Sequence, residues 1–175
     1  MTTAASGSGR PTLGEKVFAD FVDSLLSEQE DRKRSLEQRG AAVITSSGVL
    51  ASLLFALVAL VTGADGYVLP TDAEAPLVVA LVLFSLAGVG GVASNIPVPY
   101  KGVDAKDFLS IVENQWNTYT ESEALQMATV TRAKQFSGAK SWNQAKAWAV
   151  LVAQALEVLA VGTLALAIFR IFTNS

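Results

Sequence analysis

From Gly40 to Ala64 no residue is charged, and none is charged from Ala75 to Tyr100. Between Lys146 and Arg170 the only ion is Glu157. These three runs constrain the chain more than any motif in it. An α-helix rises about 1.5 Å per residue, so a hydrocarbon core of about 30 Å is crossed by roughly 20 apolar residues. Each run reaches that length. A buried helix of a soluble domain shows a polar face, and these runs show none. The expectation is an all-α integral membrane protein with three transmembrane helices and a cytoplasmic helical bundle.

The boundaries follow from punctuation. Residues 1–11 read as a disordered tail, small and polar rather than a secretory leader. Residues 12–40 read as a cytoplasmic amphipathic helix. Thr12 and Glu15 in "TLGE" form a capping box. Val17, Phe18, Phe21, Val22, Leu25 and Leu26 follow at helical spacing as one apolar stripe. Glu28 with Arg32, and Glu30 with Arg34, stand four apart in the favourable order. The first span is 41–62 and can continue this helix directly. Residues 63–75 form an extracytoplasmic turn rich in Gly and Pro, in which "TDAE" can cap the next helix. The second span, 76–96, stops at "NIPVPY", because Pro97 and Pro99 lack amide donors. Residues 97–146 form a second cytoplasmic helical segment, with a short helix capped by Asp104 and a longer one opened by the "TESE" box at Thr120 and Glu123. The third span is 147–169, and 170–175 is a short outer tail.

Orientation comes from the basic residues. Of the 13 lysines and arginines, all but Arg170 lie in residues 1–40 or 98–146, and the 63–75 turn has none. Basic residues mark the cytoplasmic side. The expected location is the inner (cell) membrane, multi-pass, with the N-terminus cytoplasmic and the C-terminus extracytoplasmic. Trp148 and Tyr100 then fall at the inner interface, and Tyr67 and Phe172 at the outer one. The two polar segments share one side, and packing their apolar stripes together hides them from water.

Glu157 is the anomaly. An acid at the centre of a span costs about 2.5–3.5 kcal/mol on insertion scales. It belongs on a face turned to protein or water. Ala153, Gln154 and Ala160 share that face, while Val152, Leu159 and Leu166 lie opposite and suit lipid. Ser52 and Ser85 stand at similar depth in the other spans. Glu157, Gln154, Ser52 and Ser85 are therefore the candidate intramembrane polar site. Two roles fit it: a proton or ion path (or switch), and a hydrogen bond that sets helix register or oligomer state. "AGVGG", with Ala87, Gly88 and Gly91, allows close helix packing. No Lys-Ser/Thr follows it, so it is not a phosphate loop.

Much chemistry is excluded. The chain has no cysteine and no histidine, which removes disulfides, thiol nucleophiles, Ser-His-Asp triads and His/Cys metal sites. A net charge of −3 does not suggest nucleic acid. Acid pairs such as Asp104/Asp107 and Glu121/Glu123 sit at helix starts, where the dipole favours them. No nucleophile–base set is present, so the expectation is a non-enzyme with no cofactor and no metal.

Three stretches carry a resemblance. "SLLSEQEDRKRSLEQRGAAVITSSGVL" leads into the first span, "NIPVPY" closes the second, and "VTRAKQFSGAKSWNQAKAWAV" leads into the third. In these and in its layout over about residues 15–172, the chain resembles the bacterial transmembrane effectors of Pycsar and related nucleotide-signalled antiphage systems. The resemblance implies cytoplasmic helices that sense a cyclic nucleotide, or a soluble protein partner that does, and spans that impair the membrane during infection; the first functional expectation is an effector that forms a homo-oligomer through its spans in the lipid bilayer. Arg132, Lys134 and Lys140 are the candidate contacts to phosphate or to lipid headgroups. No recognisable nucleotide-binding cassette accompanies them. Two other functions fit the same layout. One is a membrane adaptor docking a soluble partner through its cytoplasmic helices. The other is a proton-coupled transport subunit using Glu157.

Overall fold

The computed structural model describes residues 9–63, 70–97, 109 and 118–173. Three helices account for nearly all of them: α1 (Leu13–Thr62), α2 (Thr71–Asn95) and α3 (Glu121–Thr173). Among the described residues there is no strand. Each helix contains a segment long and apolar enough to cross a membrane. The expected helix at 104–116 apart from Leu109, Tyr67, Tyr100, the 1–8 part of the tail and residues 64–69 of the expected turn lie outside the described residues.

The segments expected at 12–40 and 41–62 are one helix, and so are the C-terminal half of 97–146 and the third span. No proline interrupts either helix, and Gly40 and Gly138 are tolerated within them. At about 1.5 Å per residue, α1 and α3 are about 75 and 80 Å long.

Both capping boxes form. The Thr12 amide donates to Glu15 Oε2 (2.6 Å) and the Glu15 amide to Thr12 Oγ1 (3.2 Å). Thr120 and Glu123 repeat the exchange at 2.9 and 3.4 Å. The backbone amide of Thr12, and then the Ser122 hydroxyl, hold the Glu15 carboxyl below the usual glutamate value. The Thr120 amide does the same for Glu123. "TDAE" does not form a box. Pro70 takes the cap position with φ −58° and ψ 131°, makes no side-chain cap, and accepts from the Ala73 amide at 2.8 Å. At the far end of α2, Ile96 is extended (ψ 124°), as a residue before proline prefers.

The chain divides into two compact units. Unit 1 comprises Met1–Lys33 and Val98–Asn143. Its buried contacts on α1 are Ala19, Val22 and Gln29, and on α3 Thr129, Ala139 and Asn143. Asn143 Nδ2 donates to the Gln29 backbone carbonyl at 2.7 Å, and Arg132 pairs with Asp23. Phe18 and Phe21, expected in the bundle core, are 60% and 56% exposed, and Val17 is exposed as well. The contact line of α1 keeps part of the stripe, with Val22 buried and Leu25 and Leu26 half-buried, and adds Ala19 and Gln29. Glu28, Glu30, Arg32 and Arg34 are all exposed. Among the described residues the Arg132–Asp23 and Lys146–Glu37 pairs run from α1 to α3 rather than along α1.

Unit 2 comprises Arg34–Pro97 and Gln144–Ser175. Its buried positions step by three and four residues along α2, and by three, four or a full seven along α1 and α3. On α1 they are Leu36, Gly40, Val43, Ser47 and Leu54; on α2, Ala73, Leu77, Ala80, Phe84, Ala87, Gly91 and Ser94. On α3 they are Lys146, Val150, Ala153, Ala160 and Ala167. A 3.5-residue repeat keeps a seam facing its partners when helices wind left-handed. The seam is dominated by small residues, which let backbones approach where packing, not exclusion from water, must hold helices together. A Cβ on Gly91 would lie 2.8 Å from the Gly40 carbonyl oxygen, and one on Gly90 2.9 Å from Ala153 Cβ. Leu54, Leu77, Ala80, Phe84, Ala160 and Ala167 form one apolar cluster; Val43, Ala87 and Ala153 form a second. At the start of the apolar segments, Lys146 Nζ meets Glu37 Oε1 at 2.6 Å, with the lysine side chain 6% exposed and the glutamate 30%.

Candidate functional site: an unpartnered polar layer

Polar side chains in an apolar segment need partners, because hydrocarbon supplies none. Hydroxyls can satisfy themselves by donating to the carbonyl one turn back in their own helix. Thr45, Ser46, Ser52, Thr62, Ser85 and Thr163 all do so, at 2.6–3.0 Å. Ser52 and Ser85, expected beside Glu157, are therefore committed to Gly48 and Leu81, and both are exposed.

Three polar groups do not follow this pattern. Ser47 is buried and its Oγ has no partner. Glu157 is half-buried and Gln154 exposed, and among the described residues neither side chain makes a hydrogen bond or an ion pair. Glu157 stands on the seam of α3, between Ala153 and Ala160, both fully buried. Gln154 lies three residues before it, on the outer flank of the same seam.

Ser47 and Glu157 stand at similar levels, with Gln154 about 4.5 Å before Glu157 along α3. Val43 and Ala153 belong to the same packed cluster, and Leu54 and Ala160 to the next, so α1 and α3 run in the same direction through unit 2. Ser47 is one turn beyond Val43, and Glu157 one turn beyond Ala153, each a rise of about 6 Å. Along α3, Glu157 lies about 16 Å from Lys146 and about 20 Å from Arg170, near the middle of the apolar segment. An uncommitted carboxyl there can take a proton, a cation, or a hydrogen bond from another helix.

The packing residues divide. Ala87 and Gly91 are buried on the α2 seam, whereas a side chain at Gly88 would meet open space. Gly40, Gly90 and Ser47 were not among the expected site residues. The three-four spacing Leu36, Gly40, Val43, Ser47 was the signal that could have found two of them.

The expected phosphate contacts divide too. Arg132 is held by Asp23 at 2.5 Å, Lys140 is exposed, and Lys134 lines an open groove of about 450 Å³. Tyr119, Glu123, Gln126, Met127, Val130 and Thr131 complete that groove, which lies within unit 1. Among the described residues no group of three or more acidic side chains could hold a metal ion.

Comparison with family models, with curated proteins and with solved structures finds no match for this chain.

Proposed function

We propose that the chain is a three-span protein of the inner membrane, N-terminus cytoplasmic and C-terminus extracytoplasmic, that acts as a non-enzymatic effector impairing the membrane barrier on a nucleotide or partner signal. The unpartnered layer of Ser47, Gln154 and Glu157 carries this reading. A span that leaves a carboxyl without a partner gains by meeting water or another span. The distribution of basic residues supports the orientation. The groove at Tyr119 and Lys134 is the candidate receiver of the signal, since an aromatic ring and an ammonium suit a base and a phosphate. α1 and α3 each contribute residues to both units.

Purified protein reconstituted in sealed vesicles is expected to release trapped dye, and to release it faster with one member of a panel of 3′,5′-cyclic mononucleotides. Glu157→Leu is expected to lower the release. Vesicles that stay tight under every nucleotide contradict the effector reading. That result, together with a soluble protein that co-purifies and is lost on Lys134→Glu, would support a membrane adaptor, which the same groove also favours.

A further inference from the structure

Within the effector reading, we propose that several copies of this chain bring their Glu157 carboxyls to a common axis, where they line a water-filled path that passes cations. The starting point is the position of the acid. Glu157 is rooted on the α3 seam between Ala153 and Ala160, yet its side chain remains half-exposed and unpartnered. Gln154, beside it, is also exposed and unpartnered. Lipid chains offer neither group a hydrogen bond, so among the described residues this flank of α3 is the one part of the apolar surface that lipid covers badly. The other exposed polar side chains of the apolar segments, Ser52 and Ser85 among them, bond to their own backbone and make no such demand.

The occupant of that flank is a second copy of the chain. Copies inserted with one topology place equal residues at equal depth, so a copy related by an axis along the membrane normal necessarily offers Gln154 and Glu157 at the required level. An unrelated helix does so only by coincidence. The site is incomplete without the partner copy, because one carboxyl cannot surround an ion. Several carboxylates around an axis repel one another in a dry interior, which favours water and counter-ions between them. Rings of acidic side chains attract cations and exclude anions. The class of permeant species follows: small cations.

The test uses the full chain in planar bilayers under a KCl gradient, with potassium and chloride as the probes. The wild-type current is expected to favour K⁺ over Cl⁻ by about tenfold or more. Glu157→Gln is expected to bring that ratio close to one or to abolish the current, and Glu157→Asp, which keeps the charge, is expected to retain selectivity. Assembly is read separately from a Gln154→Cys variant, which has no competing thiol because the chain contains no cysteine. Oxidation of that variant in membranes should cross-link copies. A current that is unselective and indifferent to Glu157→Gln, or Gln154→Cys chains that stay monomeric, overturns the inference and leaves the effector reading standing. Absence of any current or dye release, whatever the trigger, overturns both.

Discussion

Replacing Glu37 with alanine is expected to destabilise unit 2 by about 3–5 kcal/mol, the usual cost of stripping a partner from a buried charge. Lys146 is the reason. Its side chain is 6% exposed and its Nζ sits 2.6 Å from Glu37 Oε1. Without Glu37 the ammonium keeps its burial and loses its counter-charge. The pair itself need not stabilise strongly, because desolvating both ions offsets their attraction. The double variant Glu37→Leu with Lys146→Met should therefore recover most of the loss. The Arg132–Asp23 pair of unit 1 is the control, at 44% and 46% side-chain exposure. Water screens it, and Asp23→Ala should cost less than about 1 kcal/mol. Denaturant unfolding of the three variants in detergent micelles measures all of this. A Glu37→Ala protein as stable as the parent contradicts the assignment.

Gly91→Leu is expected to force α1 and α2 apart and cost about 3 kcal/mol or more, at the upper end of overpacking effects. A Cβ at position 91 would lie 2.8 Å from the Gly40 carbonyl oxygen and 2.8 Å from Ile44 Cγ1. The first of these is backbone, so no rotamer change removes the clash. The opposing glycine is equally confined, since a Cβ on Gly40 would reach within 1.9 Å of Ser94 Oγ. Gly88 is one turn away on the same helix and would meet nothing within 4 Å. Gly88→Leu should change stability by less than about 1 kcal/mol, as a substitution into open space does. Thermal unfolding of the two variants side by side in one detergent separates a site-specific clash from a general intolerance of bulk in α2. Equal losses at 88 and 91 would contradict the packing described for α2.

What could be read from the amino acids was what depends on neighbours in sequence. Charge-free runs mark the three apolar segments because the requirement is length. The boxes at Thr12 and Thr120 were legible because a cap needs only four consecutive residues. What depends on other helices was less visible. Phe18 and Phe21 look like core by periodicity, but they are exposed, and the buried positions of unit 1 include Gln29 and Asn143, which hydropathy assigns to solvent. Lys146 reads as a boundary charge, and only the approach of α1 shows that it is buried against Glu37. The side of α3 that holds Glu157 was legible from its spacing to Ala153 and Ala160. Its lack of a partner was not, because depth alone pointed to Ser52 and Ser85, and a hydroxyl that bonds to its own helix needs no neighbour. The glycines show the same division. All of "AGVGG" suggests close packing, yet which glycine touches another backbone is decided by the seam register.

The central claim is that α1, α2 and α3 each cross the membrane once, with the N-terminus inside. The absence of native cysteine makes it directly testable. Single cysteines at Thr3, Gly66 and Ser175 are probed in intact cells, stripped of any outer barrier, with a membrane-impermeant maleimide. Labelling at 66 and 175, with position 3 reacting only after the membrane is opened, is the predicted result. Labelling at 3 with protection at 175, or a chain that remains in the supernatant without detergent, would contradict it.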